Sequence, residues 1–209
     1  EFNSNENVRS NGKSSGDNHP DEQDIVEALS RMDSFSQQTG LPYDRVMIFP
    51  RGAFTLGSLQ FLKKHNFLMT VNSMRPMNEG QMADEVDRMR EITLEFKNFP
   101  VAVRHGLPMM NDKHAFADLR NWIQMRLFLD LPVFLYTHHS YFKAGSSAFD
   151  IVATEINKTK PAIKWSGLGN IARHLYLQRR TADNQIEVLS YTSDIVIKNI
   201  YPTSMRYTF

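Results

Sequence analysis

The stretch Leu131-Pro-Val-Phe-Leu-Tyr-Thr-His-His-Ser-Tyr-Phe142 decides the reading of the fold. Leu131 and the run Val133 to Tyr136 are apolar or aromatic and lead straight into Thr137, His138 and His139. An unbroken apolar run of this length suits a strand buried on both faces, as in a parallel sheet flanked by helices. Pro132 is tolerated at the start of a strand. The run stops in two histidines, and α/β enzymes keep their chemistry at the C-terminal ends of parallel strands. The plainer alternative makes one histidine a satisfied loop residue and the other a helix cap.

Working outward, similar short runs alternate with helical stripes. Val46-Met-Ile-Phe49, Phe67-Leu-Met-Thr-Val71, Phe99-Pro-Val-Ala-Val103 and Ala162-Ile-Lys-Trp165 read as further strands. Between them, apolar residues recur at three-to-four spacing: Ile25, Leu29, Met32 and Phe35; Leu59 and Leu62; Met82, Val86, Met89, Ile92 and Phe96; Phe116, Leu119, Ile123 and Leu127. Asp21, Glu22 and Asp24 suit a first helical turn, with Pro20 at its first position, and Gly40 and Pro42 end that helix. Thr55, Asn111 or Asp112, Ser147 and Ser166 are the expected caps of later helices. Five strand-helix alternations imply a parallel sheet. Five units are too few for a closed eight-stranded barrel, so the expected fold is an open α/β sheet or a partial barrel.

Both ends break this grammar. Residues 1–18 are Asn, Ser, Gly and charge with almost nothing apolar, and read as a mobile tail or exposed loop. The α/β unit is expected over 19–177. Residues 178–209 carry Ile186-Glu-Val-Leu-Ser-Tyr191, Ile195-Val-Ile197 and an extended Met205–Phe209, with Asp183-Asn184 as a turn. They read as a small antiparallel β appendage.

Composition excludes several classes. Of the 209 residues, 41% are hydrophobic and 11% aromatic, enough for a core. Twenty-four basic and 23 acidic residues leave a net charge of +1, which gives no argument for a nucleic-acid partner. There is no cysteine, so disulfides and thiolate metal sites are excluded. No run approaches the ~18 apolar residues of a membrane span, and the opening residues do not read as a signal peptide.

The residues that follow the apolar runs are Arg51, Asn72, Arg104 with His105, His138 with His139, and Ser166. In a parallel sheet all of them lie at one end, and several His and Arg at one rim form a candidate site. Arg104 beside His105 can orient an anionic or carbonyl group. Neighbours in a strand point to opposite faces, so His138 and His139 share a metal only if the chain has left strand geometry. Trp165, at the end of an apolar run, is expected in the core. Asn157-Lys-Thr159 matches the glycosylation triplet, a pattern that also arises often by chance.

The order of these pieces resembles the polysaccharide deacetylase superfamily, carbohydrate esterases with a partial α/β barrel. The likeness rests on His19-Pro20 with the helix to Gln38-Thr39-Gly40, on Val46-Met-Ile-Phe-Pro-Arg-Gly52 followed by Leu59–Phe67, on Leu135-Tyr-Thr-His-His139, and on Ile163–Ile171. It spans about residues 19 to 177. It implies a divalent metal, zinc or similar, with His19 as a ligand. It also implies His139 or His138 as the group that protonates a leaving amine, and an N-acyl amino-sugar glycan as substrate. Arg51, Asn72, Arg104 and His105 would then contact that substrate.

The sequence departs from the family pattern. Nothing like the family's Thr-Phe-Asp-Asp strand end precedes His19, Ser15 stands where a histidine is expected, and Ile48 stands where the family has arginine. Either the missing strands lie upstream of this chain or the fold has lost its metal chemistry. Three readings stay open: a deacetylase, a non-catalytic glycan-binding or scaffold module on the same fold, and an unrelated α/β sheet with a ligand site at its polar rim.

Overall fold

The structure, a computed structural model, describes residues 21–49, 54–73, 99–108, 113–143, 145–159, 163–181 and 183–209. The chain order is α1 (Glu22–Thr39), β1 (Val46–Met47), α2 (Leu56–Lys64), β2 (Met69–Ser73), β3 (Val101–Gly106), α3 (Lys113–Phe128) and β4 (Phe134–Tyr136). A 3-10 turn (His139–Phe142) then leads to α4 (Ser147–Thr159), α5 (Leu168–Ala172), β5 (Tyr176–Arg180), β6 (Gln185–Ser190) and β7 (Arg206–Thr208). The expected helix over Met82–Phe96 lies outside the described residues.

Helix ends follow local chemistry. Asp21 caps α1 in a reciprocal box with Asp24, and Gly40 ends it at φ 71°, the left-handed conformation that favours glycine. Thr55 caps α2 in a box with Ser58. Asn66 after α2 and Asp130 after α3 take φ of 56° and 53°, which short polar side chains tolerate best after glycine, and each turns the chain toward a strand. Glu22 ties α1 to α2 through Lys64 (2.7 Å) and His65 (2.8 Å). The Lys64 ammonium, then the His65 ring, hold its carboxyl below the ordinary value.

Strands β1 to β4 form a parallel sheet in the order β1-β2-β3-β4. Each strand lies beside the one before it, with helices α1 to α4 against one face, which makes the sheet a half-barrel. The register separates two faces, because paired residues in a parallel ladder point the same way and successive residues alternate. On the outer face Met47 and Val101 join Ile25, Leu59 and Leu62 of α1 and α2. Leu135 joins Leu119, Trp122 and Ile123 of α3 with Val152 and Ile156 of α4. On the inner face Val46, Met69, Val71, Ala102 and Phe134 meet Leu168, Ile171, Ala172 and Leu175 from α5 and the turn after it.

Expectations are corrected in two regions of the chain. First, Ile163–Gly167 runs beside β4 without pairing, so the fifth strand expected over Ala162–Trp165 takes no place in the sheet, and Ala162 itself is outside the described residues. Gly167, not Ser166, occupies the cap position of α5. Second, the C-terminal appendage is a mixed sheet rather than an antiparallel one. Strands β5 and β6 are antiparallel around a turn at Asn184, φ 57°, but β7 pairs parallel to β6. That sheet begins at Tyr176, and Ile195–Ile197 lies outside it. Alternation of apolar residues shows that a segment is half-buried but not which way it runs.

Helix α5 is fixed by Asp44, just before β1. The Gly169 N–H donates to Asp44 Oδ2 at 2.8 Å, and Arg173 lies 3.7 Å from the same carboxylate and 2.7 Å from Asp194. A Cβ on Gly169 would sit 1.9 Å from Asp44 Oδ1, too close for any carbon, so only glycine allows this approach. Gly169→Ala is therefore expected to lower the unfolding free energy by about 2–3 kcal/mol, the sum of a clash and a lost charge-assisted hydrogen bond. Chemical denaturation checks it, and an unchanged midpoint contradicts the pinning role.

Candidate functional site

The strand ends of the half-barrel carry the polar residues expected there, but the two faces divide them. Arg104 pairs in register with Phe134, and Gly106 with Tyr136, so Arg104 and Tyr136 belong to the inner face. His105 pairs with Leu135, and Asn72 with Val103, so both belong to the outer face. The sequence reading placed all of them at one rim. The structure brings Arg104 toward Tyr136 and turns His105 and Asn72 away from it.

The inner pair is close. The Arg104 guanidinium carbon lies 4.3 Å from the centre of the Tyr136 ring, a cation–π contact. The ring lies against Gly106, where an added Cβ would meet Tyr136 Cζ at 3.4 Å. Arg104 Nε is buried without a hydrogen-bond partner. Burial pushes the guanidinium below its ordinary value, and Tyr136 partly offsets that shift. Arginine nevertheless keeps its charge at neutral pH. Among the described residues Arg104 has no carboxylate partner. A half-buried cation with an orphaned donor is unfavourable unless something supplies acceptors, which marks Arg104 as a candidate for ligand contact.

Next to this pair, the chain leaves strand geometry after Tyr136. His138 is exposed, has extended backbone (φ −91°, ψ 156°) and precedes the 3-10 turn, to which its side chain gives no capping bond. Its ring stands edge-on to Tyr136, with centres 6.2 Å apart. His139 is the first residue of the turn and is also exposed. Tyr141, in the same turn, donates its hydroxyl to the Pro108 carbonyl at 3.3 Å, and burial raises its phenol above the ordinary value.

The outer-face residues have structural partners. His105 Nδ1 is 2.8 Å from the Gly106 carbonyl oxygen and is its donor, and the ring tilts against Trp122 at 5.0 Å. Asn72 is buried, and its Oδ1 receives the Thr70 hydroxyl at 3.5 Å, while its Nδ2 has no partner. Arg51 and His19 lie outside the described residues. Trp165, expected in the core, is 49% exposed and donates Nε1 to Asn157 Oδ1 at 2.8 Å. Tyr136 is the residue that sequence reasoning missed. Within an apolar run it carries no polar signal, and only the β3–β4 register shows that it shares a face with Arg104.

Among the described residues no three His, Asp or Glu side chains converge as a metal set. The described donors at this rim, His138 and His139, do not by themselves fit a divalent ion, so no step below passes through one. Among the described residues no helix is long and apolar enough to cross a membrane. Compared with protein-family models, with curated proteins and with solved structures, the chain shows no match.

If Arg104 is kept for a ligand rather than for the fold, an apolar replacement should not weaken the protein. Arg104→Met is expected to leave the unfolding free energy unchanged or raise it by about 1 kcal/mol, since an unpaired buried charge is exchanged for packing. A loss of more than about 2 kcal/mol in denaturant unfolding would make Arg104 a structural residue instead.

Proposed function

We propose that this chain is a polysaccharide deacetylase-like protein whose inner strand-end rim binds an N-acyl amino-sugar glycan. The observation that carries the reading is the Arg104 guanidinium, half-buried over Tyr136 with Nε unpartnered, beside the exposed ring of His138. An acyl carbonyl or a sugar hydroxyl can meet the terminal N–H groups of the guanidinium, while Nε itself is closed to solvent. The Tyr136 ring holds the guanidinium in a fixed plane, which lowers the ordering cost of the contact. The four parallel strands, each next to the last, have the order of a partial barrel, the fold class expected from the sequence.

Binding without turnover and hydrolysis of the acyl group are both consistent with this rim. The hydrolytic reading is favoured by one observation: the His138 side chain is exposed and makes no capping bond, which leaves its imidazole available to protonate a leaving amine. Any metal set for that reading would need His19 or other groups beyond the described residues.

The test is titration with an N-acetylglucosamine tetramer, followed by NMR. Wild-type protein is expected to bind saturably, with shifts at Tyr136 and His138. Arg104→Ala is expected to weaken binding about tenfold or more through loss of a charge-assisted hydrogen bond. Acetate release on adding Zn2+, lost in His138→Ala, would assign hydrolysis over simple binding. No binding by wild type, or equal binding by Arg104→Ala, overturns the proposal.

A further inference from the structure

Strand β4 is the last of the parallel sheet, and a cleft of about 490 Å³ runs along its unpaired edge. It occupies the place where a further barrel strand would lie. Its walls come from both apolar layers. Ile123 and Ile156 enter from the outer helices, Leu168 and Ile171 from α5, and the buried Phe134 contributes from β4 itself. Ile163–Ser166, the segment expected as a fifth strand, also lines the cleft, and there Lys164, Trp165 and Ser166 are exposed. The volume falls within the range of small-molecule sites.

We propose that this cleft binds a single-chain amphiphile, an aliphatic tail with an anionic head. The tail lies between the two apolar layers, and the head meets the Lys164 ammonium at the opening. Charge supports the assignment: among the described residues that line the cleft there is no Asp or Glu, and Lys164 carries the charge. An aliphatic chain also matches the wall chemistry, because covering apolar surface held next to water is favourable.

An extended peptide added to the edge of β4 is the competing occupant, and the strand is too short for it. Strand addition draws its affinity from main-chain hydrogen bonds. β4 has three residues, Phe134–Tyr136. Tyr136 turns its carbonyl toward β3, where it accepts from the Leu107 N–H at 2.9 Å. Alternation then leaves Leu135 as the β4 residue whose backbone groups face the cleft. One residue's donor and acceptor do not hold a peptide. Tyr136 lines both this cleft and the glycan rim, but the charge here comes from Lys164, and the two sites are read by separate probes, dodecanoate and the oligosaccharide.

The experiment is calorimetric titration of the full chain with dodecanoate below its micelle concentration. One molecule is expected to bind per chain. Lys164→Gln, a surface change, should weaken binding roughly tenfold through loss of the charge-assisted contact. Thr137→Trp, which fills the cleft beside β4, should remove binding while the far-UV spectrum stays as in wild type. If that variant does not fold, Val133→Phe on the same wall takes its place. Dodecyltrimethylammonium should bind at least tenfold more weakly than dodecanoate. The proposal is overturned if dodecanoate does not bind, if it binds equally to Lys164→Gln and the filled variant, or if the cationic probe binds as tightly. It is also overturned if an acetylated Ile-Lys-Trp-Ser peptide binds more tightly and slows exchange of the Leu135 amide, because the cleft is then a strand slot.

Discussion

The carboxylate of Asp44, held against the Gly169 N–H and near Arg173, is the contact on which the rest of the structure depends. A half-barrel has an inner face that must be covered. Val71, Ala102 and Phe134 would otherwise present a continuous apolar strip to water. Helix α5 covers that strip although it is only five residues long, too short to be stable by itself. Its position comes from outside: Asp44 accepts from its first turn, and Arg173 at its end joins Asp44 to Asp194 of the C-terminal segment. The Val196 N–H donates to the Arg173 carbonyl, and the Tyr191 N–H to the Leu175 carbonyl, so the mixed sheet is tied to the same place. The appendage thereby helps to hold the cover over the inner face.

That cover gives the strand ends their two-sided character. Inside, Arg104 and Tyr136 emerge beyond the apolar layer, with His138 just past the strand. Outside, His105 packs on Trp122 and Asn72 is buried under the helices. Two adjacent residues with similar polarity therefore differ in what they do. Arg104 keeps an unpartnered donor, whereas His105 spends its ring nitrogen on a neighbouring carbonyl. A single-residue change in register would exchange them, so the site depends on pairing more than on composition.

The legible parts of the sequence were those carried by local chemistry. The cap at Thr55, the glycine end of α1 at Gly40, the turn at Asn184 and four apolar strands in parallel order all follow from near neighbours. What was not legible depends on distant residues. The run Ile163-Lys-Trp165 has the composition of a strand, but pairing needs a partner edge at the right height, and Trp165 instead bonds to Asn157 on α4. The parallel pairing of β7 with β6 joins residues about twenty apart, which no short window contains. The partnership of Arg104 with Tyr136 required the register of two strands separated by a whole helix. Gly169 carried no signal of its own, because its necessity comes from Asp44, 125 residues earlier.

The most direct test of this account is a methyl and aromatic NOE spectrum of the protein. The account expects contacts from the Val71 and Ala102 methyls to the Ala172–Leu175 segment, together with contacts from the His105 ring to Trp122 and none from His105 to Tyr136. Contacts from Ala102 to the side chains of α3, or from the His105 ring to α5, would place the two faces the other way round and contradict it.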